Sequence, residues 1–318
     1  MTTLVTGANG FVGSALCMRL CRDGVSVRGT VRSLSSQPED VETVVIGNLS
    51  LDTDWTAALR NVEQVVHLAA RVHVMNDKSS DPLAEFRRVN VEGTANLARQ
   101  AAAAGVRRFV FLSSVKVNGE FTEAGYPFTA DDVPAPEDPY GVSKHEAEQL
   151  LRQISAETGI EVVIIRPPLV YGRGVKANFA AMMCWLARGA VRVPLPLAAI
   201  TQNRRSLVAL DNLLDLIVTC LNHPAAANQT FLVSDGEDLS TAQLLKRMGA
   251  VMGRPARLFY VPPALLKLGA AVLNKPGIYQ RLCGSLQLDI NKTRQLLGWT
   301  PPMSVDEGLR RAAEGFRT

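Results

Sequence analysis

The first fourteen residues, MTTLVTGANGFVGS, constrain this chain more than any other stretch. Thr2 to Val5 is a short β-branched and aliphatic run, the pattern of a buried strand. Gly7, Gly10 and Gly13 follow at three-residue spacing, and Phe11, Val12, Ala15, Leu16 and Leu20 then open a helical period. Strand, glycine turn and helix in that order make a dinucleotide-binding start. Glycines let the backbone approach a pyrophosphate, and a helix N-terminus offers it unpaired N–H groups and the positive end of a dipole. Gly7, Asn9, Gly10, Phe11 and Val12 are therefore the residues expected against the cofactor.

The end of the second strand decides which dinucleotide. Val25 to Val31 alternates as a strand and runs into Arg32 and Ser33. A site for NAD usually has an acidic residue about twenty residues after the glycines, bonding the ribose 2′-hydroxyl. Here no acid stands at that point. Arg32 can meet a 2′-phosphate instead, with Ser33 and Ser35 as further donors, so NADP(H) is expected in preference to NAD(H).

Further strands are expected at Glu42 to Ile46, Glu63 to His67, Arg107 to Leu112 and Glu161 to Ile165. Asn48 and Leu49 follow the first of these, where adenine would be edged. Leu68, Ala69 and Ala70 follow the second, and small residues there let a dinucleotide cross the strand ends. His67 is a lone histidine without metal-ligand spacing and reads as structural; no metal site is expected. Arg71 to Asp81 reads as a mobile polar loop. Pro82 to Ala104 has a long helical pattern that contains Asn90. Tyr140-Gly-Val-Ser-Lys144 opens another helix that runs to about Thr158, with Tyr140 and Lys144 at i and i+4 on one face.

Alternating strands and helices predict an α/β fold with a doubly wound parallel sheet. Residues 1–166 are assigned to a dinucleotide-binding domain, and 167–318 mainly to a smaller substrate-binding lobe. Ser206 to Leu210 is expected to bring the chain back to the sheet, with residues 206–232 returning to the first domain.

The chain has 318 residues, and 47% are hydrophobic, enough for a sizeable core. A net charge of +4 with no basic run among aromatics argues against nucleic acid. Five cysteines without CxxC spacing fit a reduced cytoplasm. The early glycine loop leaves no room for a signal peptide, and no apolar run is long enough for membrane insertion. Ala264 to Leu273 is the most apolar helical stretch and reads as a packed helix rather than an anchor.

With Ser114, Tyr140 and Lys144 in place, the chain resembles an extended short-chain dehydrogenase/reductase over essentially its full length. TGANGFVG is similar to that family's nucleotide loop, HLAA to its fourth-strand end and YGVSK to its Tyr-x-x-x-Lys motif. RPPLVYGRG resembles the exit from the sixth strand, and DINKTRQLLGW the C-terminal signature. The resemblance implies a Rossmann domain, Ser114, Tyr140 and Lys144 as a catalytic trio, Pro167 beside the cofactor and a homodimer built on the Pro82–Ala104 and Tyr140–Thr158 helices. It also implies a sugar-nucleotide substrate held by the C-terminal lobe. Arg205 resembles the arginine that usually meets the UDP diphosphate, with Asn178 and Arg281 as further candidates.

AARVHVMND, FLSSVKVNGE and NRRSLVALDNL look like bacterial enzymes of surface-polysaccharide (O-antigen) sugar synthesis that resemble UDP-glucose 4-epimerases. The subgroup implied reduces the C4 ketone of a UDP-4-keto-6-deoxy-N-acetylhexosamine, giving UDP-N-acetyl-fucosamine or UDP-N-acetyl-quinovosamine. A UDP-sugar 4-epimerase is the alternative, and a catalytically idle nucleotide-binding regulator the reading from another class. Asn118 departs from the family, standing where many sugar epimerases have Tyr before Gly. A 4,6-dehydratase of the superfamily carries Asp-Glu after the active-site Ser or Thr, whereas Val115 and Lys116 follow Ser114. A positive Lys144 about 5 Å from Tyr140 is expected to lower the phenol by about two pKa units, into the range of acid–base work.

Overall fold

The computed structural model describes residues 2–33, 41–72, 81–175, 177–187, 194–272 and 276–316. The strands are β1 (Thr2–Thr6), β2 (Ser26–Val31), β3 (Glu42–Val45), β4 (Gln64–His67), β5 (Arg108–Leu112), β6 (Glu161–Arg166), β7 (Leu169–Tyr171), β8 (Leu207–Ala209) and β9 (Thr230–Leu232). The helices of the first half are α1 (Phe11–Arg22), α2 (Thr56–Leu59), α3 (Pro82–Phe86), α4 (Gly93–Ala103) and α5 (Pro139–Thr158). After them come α6 (Ala177–Ala187), α7 (Leu210–Asn222), α8 (Thr241–Val251), α9 (Pro263–Val272), α10 (Pro276–Cys283), α11 (Asn291–Leu297) and α12 (Val305–Glu314).

Strand periodicity builds two cores from one sheet. Val5, Val66, Val110 and Val163 point to one face, where they meet Leu16 and Leu20 of α1 and Leu213 and Ile217 of α7. Their chain neighbours Leu4, Val65, Phe109 and Ile164 point to the other, against Leu97 of α4 and Leu151 of α5. Strands apolar on both sides require cover on both faces, which is why the sheet is parallel and doubly wound. Its order is β3-β2-β1-β4-β5-β6-β9, all neighbours parallel. The order in which strands are added reverses between β1 and β4, the switch point at which sheets of this kind take a ligand beyond the strand ends.

Three local expectations are corrected. Ser206 to Leu210 does not return to the main sheet. β8 pairs in parallel with β7, Leu169 opposite Leu207, in a separate two-stranded sheet, and it is β9 that adds to β6. Pro167 and Pro168 explain this: two successive residues without N–H donors end the ladder after Arg166, and β7 resumes off the sheet with an open edge that β8 takes. The Pro82–Ala104 helix is not regular, because a π-helical turn over Arg87–Glu92 separates α3 from α4. That wider turn aims Asn90 inward, onto Arg71 and Ser143. Finally, the Ala264–Leu273 stretch packs along one side only: Leu266 meets the Leu197, Ile200 and Leu245 cluster and Ala270 is half-buried, but α9 has no fully buried residue, and Leu273 lies outside the described residues.

One buried ion pair ties the sheet to α5. Arg166 at the end of β6 donates from Nε to Glu148 Oε1 (2.9 Å) and from Nη2 to Oε2 (2.6 Å), both side chains almost wholly buried. Ser113 Oγ donates to Glu148 Oε1 at 2.6 Å, Arg152 to Oε2 at 3.1 Å, and Arg166 Nη1 to Asn118 Oδ1 at 3.0 Å. Burial by itself would raise the Glu148 carboxyl, but the hydrogen bonds and charge of Arg166 outweigh it and hold the group below its ordinary value. Replacing Arg166 by Leu strands a buried carboxylate and is expected to lower stability by about 3–5 kcal/mol in urea denaturation, while Arg166→Leu/Glu148→Leu recovers most of the loss. The pair's contribution is present above the ordinary carboxylate range and is lost as pH falls through the depressed folded value. A Glu148→Gln variant should therefore lack that acid-side decline.

Candidate active site

The nucleotide loop is set by backbone contact. Gly7 sits at φ +66°, a left-handed conformation, and a Cβ on it would lie 3.1 Å from Ala69 Cα. A Cβ on Gly13 would fall 2.0 Å from the Gly7 carbonyl oxygen, so α1 presses directly on the loop. Gly10 N–H donates to that same oxygen at 2.8 Å, and Ala8 N–H to Thr30 O of β2 at 3.1 Å. Gly10 caps α1 without a side-chain bond, and the first turn holds no acid. The N–H groups of Phe11 and Val12 therefore open a helix end whose dipole favours an anion, and this cradle fits the diphosphate of a dinucleotide.

The strand ends around it are fixed by Thr6. Its Oγ1 accepts from Leu68 N and Ala69 N, both at 3.1 Å, which leaves its hydroxyl proton for His67 Nδ1 at 2.7 Å. His67 then carries its proton on Nε2, facing Thr94 Oγ1 at 2.9 Å. Burial first, and Lys144 second, push this histidine down to about 3, so it is a neutral spacer, as its lone placement suggests. Ala69 and Ala70 are half-buried at the rim. Arg32 and Ser33 are exposed just past β2, Asn48 is exposed past β3, and Leu49 is buried against Gly93. Ser35 lies outside the described residues, as do 73–80 of the loop read as mobile.

At the far end of the crevice, β5 runs into Ser113 and Ser114. Ser114 caps a 3-10 turn, Val115–Val117, its Oγ accepting from Lys116 N at 3.2 Å. Lys116 pairs with Glu120 (2.7 Å) and Asp138 (2.5 Å), and Asp138 also caps α5 by accepting from Gly141 N at 2.6 Å. A Cβ on Gly141 would sit 2.8 Å from Lys116 O, so the first turn of α5 lies against the Ser114 turn. Pro167 O accepts from Val115 N at 3.0 Å from the other side. Tyr140 is held edge-on by Phe86 of α3, ring centroids 6.0 Å apart. Lys144 Nζ donates to Leu112 O at 2.9 Å and lies 5.9 Å from the Tyr140 ring centroid. Ser114, Tyr140 and Lys144 thus flank one end of the sheet, as their order in the chain implies.

The electrostatics run opposite to the expected lowering of the phenol. Burial, then the charge of Asp138, raises Tyr140 well above its ordinary value. Burial also brings Lys144 down to about 7, against the pull of Glu148. A lysine that holds its proton so loosely carries only part of a charge near neutrality, too little to offset desolvation of the phenol.

On the substrate side, the loop after Ser114 is stitched to the segment that follows α10. Thr122 N donates to Ser285 O (3.0 Å), Phe128 N to Gln287 O (2.8 Å) and Asp289 N to Phe128 O (2.8 Å). Arg205 Nη1 bonds the carbonyls of Arg281 (3.2 Å) and Gly284 (3.1 Å). Burial draws this guanidinium below its ordinary value and Glu120 opposes it. Arg281 is exposed, its Nε donating to Gly277 O at 3.0 Å. Asn178 falls in α6, but its side chain lies outside what the structure describes. Asn118, the departure from family pattern, is buried between Arg166 and the Thr129 carbonyl and serves the scaffold. Sequence reading missed Ser113, Glu148, Arg166 and the Lys116–Asp138 pair. Only Glu148 had a signal, lying one helical turn past Lys144 on the same face. Among the described residues no cluster of His, Cys, Asp or Glu is placed to hold a metal.

A glycine-cradled helix end at the switch point of a parallel sheet, with Ser114 past β5 and Tyr140 and Lys144 in the first turns of α5, has the arrangement of a nucleotide-dependent enzyme on a Rossmann-type sheet. Residues 3–234 match the NAD dependent epimerase/dehydratase family, and the chain belongs to it. It is 47% identical to a UDP-glucose 4-epimerase of Vibrio cholerae over 98% of this chain and 94% of that one. A short-chain dehydrogenase/reductase superfamily protein of Agrobacterium tumefaciens, solved with bound NAD, is 26% identical with a TM-score of 0.76, covering 99% and 97% of the two chains. UDP-glucose 4-epimerase of Thermotoga maritima, solved with UDP-glucose, shares the fold at a TM-score of 0.78 and 23% identity, covering 100% and 99%.

The depressed Lys144 gives a signed prediction. Its ordinary value is 10.5 and its folded value about 7. Between these the unfolded chain binds the proton more tightly, so the penalty is full below about 7, shrinks as pH rises and is absent above 10.5. Lys144→Met is expected to stabilise the protein more at pH 6 than at pH 10 in urea titrations. A difference that stays constant with pH would mean that Lys144 keeps its proton throughout.

Proposed function

We propose that the protein is an NADPH-dependent reductase of the C4 ketone of a UDP-4-keto-6-deoxy-N-acetylhexosamine, acting in the cytoplasm in surface-polysaccharide (O-antigen) sugar synthesis. The observation that carries this reading is the end of β2, where Arg32 and Ser33 stand exposed and neither described residue after the strand is a carboxylate. A 2′-phosphate is of no use to an epimerase, whose cofactor is restored each cycle, whereas a reductase draws on the cell's largely reduced NADPH.

In this reading Phe11 and Val12 N–H groups hold the cofactor diphosphate, Asn48 and Leu49 edge the adenine, and Leu68, Ala69, Ala70 and Pro167 flank the nicotinamide half. Bound NADPH supplies a hydride. Ser114 donates a hydrogen bond to the ketone oxygen and Tyr140 gives it a proton, while Lys144 holds the nicotinamide ribose. Burial supports the reductive direction, because it keeps Tyr140 protonated, the state a proton donor needs at rest. Arg205 is the residue proposed to meet the UDP diphosphate, a guanidinium fork suiting phosphate, with Asn178 and Arg281 as further candidates. Dehydration is disfavoured: Val115 is buried and apolar, and Lys116 is held between Glu120 and Asp138. The α4 and α5 helices form the proposed homodimer face, for which sedimentation velocity at micromolar concentration should give a dimer mass.

A UDP-sugar 4-epimerase is the second reading, favoured by the Vibrio cholerae relative. An idle regulator has no need of Ser114, Tyr140 and Lys144 at one strand end. The test offers the keto-sugar nucleotide with NADPH deuterated at its transferable position. Deuterium is expected at C4 of a 6-deoxy product, with one NADPH oxidised per turnover. Tyr140→Phe should cut turnover by about 10²–10⁴-fold with cofactor still bound, and Arg32→Asp should shift preference toward NADH. If NADPH is not consumed and UDP-N-acetylglucosamine and UDP-N-acetylgalactosamine interconvert instead, the epimerase reading replaces this one.

A further inference from the structure

The chain's basic excess is confined to one stretch. Residues 239–288 contain seven Lys and Arg and no Asp or Glu, whereas the rest of the chain carries 27 basic and 30 acidic residues. Arg247 is paired with Glu237 and Asp306, but Arg254 and Lys267 stand exposed. The same stretch holds the densest exposed apolar surface of the described residues. Tyr260 is 70% exposed, Leu268 60% and Val272 77%, with Phe259 and Leu265 also open.

Helix α9 organises this surface. Leu265, Leu268 and Val272 follow i, i+3, i+7 and form one outward stripe. Leu266 and Ala270 face inward and, with the edge of Leu265 and with Leu195, Leu197 and Leu282, line an apolar cavity of about 340 Å³. The helix is thus apolar on both sides, packs through Leu266 beside an apolar cavity, and lies within a stretch, 239–288, that carries Lys and Arg but no Asp or Glu. The helix has no polar face of its own, but exposed leucine and valine beside Phe259 and Tyr260 can bury apolar area in a bilayer interface, and Lys267 adds attraction to anionic lipid. The cations complement the negative surface of a bilayer containing acidic lipids. No helix of the described residues is long and apolar enough to cross a membrane, so the contact is peripheral.

We infer that α9 and the Phe259–Tyr260 turn dock the protein on an anionic lipid bilayer, holding the C-terminal lobe against the membrane surface. The inference is independent of which reaction the site performs. It is tested by floating the full-length protein with vesicles of phosphatidylglycerol and phosphatidylcholine, or of phosphatidylcholine alone. The wild type is expected to float with the anionic vesicles only, and to be released by about 0.5 M salt, where charge attraction is screened within a few ångströms. Leu268→Asp/Val272→Asp should reduce bound protein at least about tenfold, and Lys267→Glu about fivefold. Both sites are exposed, so the melting temperature and turnover stay at wild-type values as a control. The proposal is overturned if the wild type stays in the pellet fraction with anionic vesicles, or if the double Asp variant floats as well as wild type. It is equally overturned if the double variant instead dissociates an oligomer seen by sedimentation, which would make the stripe a protein contact.

Discussion

The Glu148–Arg166 pair is the interaction on which the arrangement of the site depends. It lies where desolvation is severe, and such a pair is seldom a net source of stability compared with apolar packing. Its value is positional. Every oxygen of Glu148 is used: Oε1 accepts from Ser113 and Arg166, Oε2 from Arg166 and Arg152. These bonds leave α5 one rotational setting against β5 and β6. Lys144 and Tyr140 lie one and two turns upstream of Glu148, on the same helical face, so the setting that satisfies Glu148 also turns both toward the strand ends. Asn118 carries the constraint onward, joining Arg166 to the loop that bears Thr129.

Local chemistry made part of this legible in the sequence. A glycine that must adopt φ +66° or accept another backbone at contact distance has no substitute, so the loop between β1 and α1 could be read from three residues. The central strands were equally plain, because burial on both faces demands unbroken apolar runs. What was illegible rests on partners distant in the chain. β8 is a short apolar segment whose partner is decided by two prolines some forty residues earlier, and nothing within Leu207–Ala209 distinguishes a main-sheet strand from a separate pair. The π-helical turn at Arg87–Glu92 has no compositional mark. Its cause is tertiary, in the bonds Asn90 makes to Arg71 and Ser143.

The phenol of Tyr140 shows the same limit in electrostatics. Spacing alone places a lysine beside it, and a Coulomb estimate then predicts a lowered value. The estimate omits desolvation, which acts on both groups. Burial raises the phenol and lowers the ammonium at once, and the second effect weakens the charge that was to counter the first. His67, beneath them, is neutral for the same reason. The inner end of the crevice is therefore poor in charge, with its formal charges displaced to the Lys116–Glu120–Asp138 group on one side and to Glu148–Arg166 on the other.

That distribution bears on how a highly charged ligand is received. A sugar nucleotide and a dinucleotide each bring phosphates, and the described cations able to meet them lie at the rim: Arg32 past β2 and Arg281 at the end of α10 are both exposed. Under the proposed function, attraction would act on the phosphates at the mouth, while the reacting end of the crevice would offer hydrogen bonds in a region of low dielectric, where a developing oxyanion would gain more from Ser114 and a protonated Tyr140 than in water. Fixed charge deep in the site would add a desolvation penalty and compete for those donors. Keeping it out requires that the buried ions there be paired with each other, and Glu148 with Arg166 meets that requirement while also fixing the helix that carries Tyr140 and Lys144.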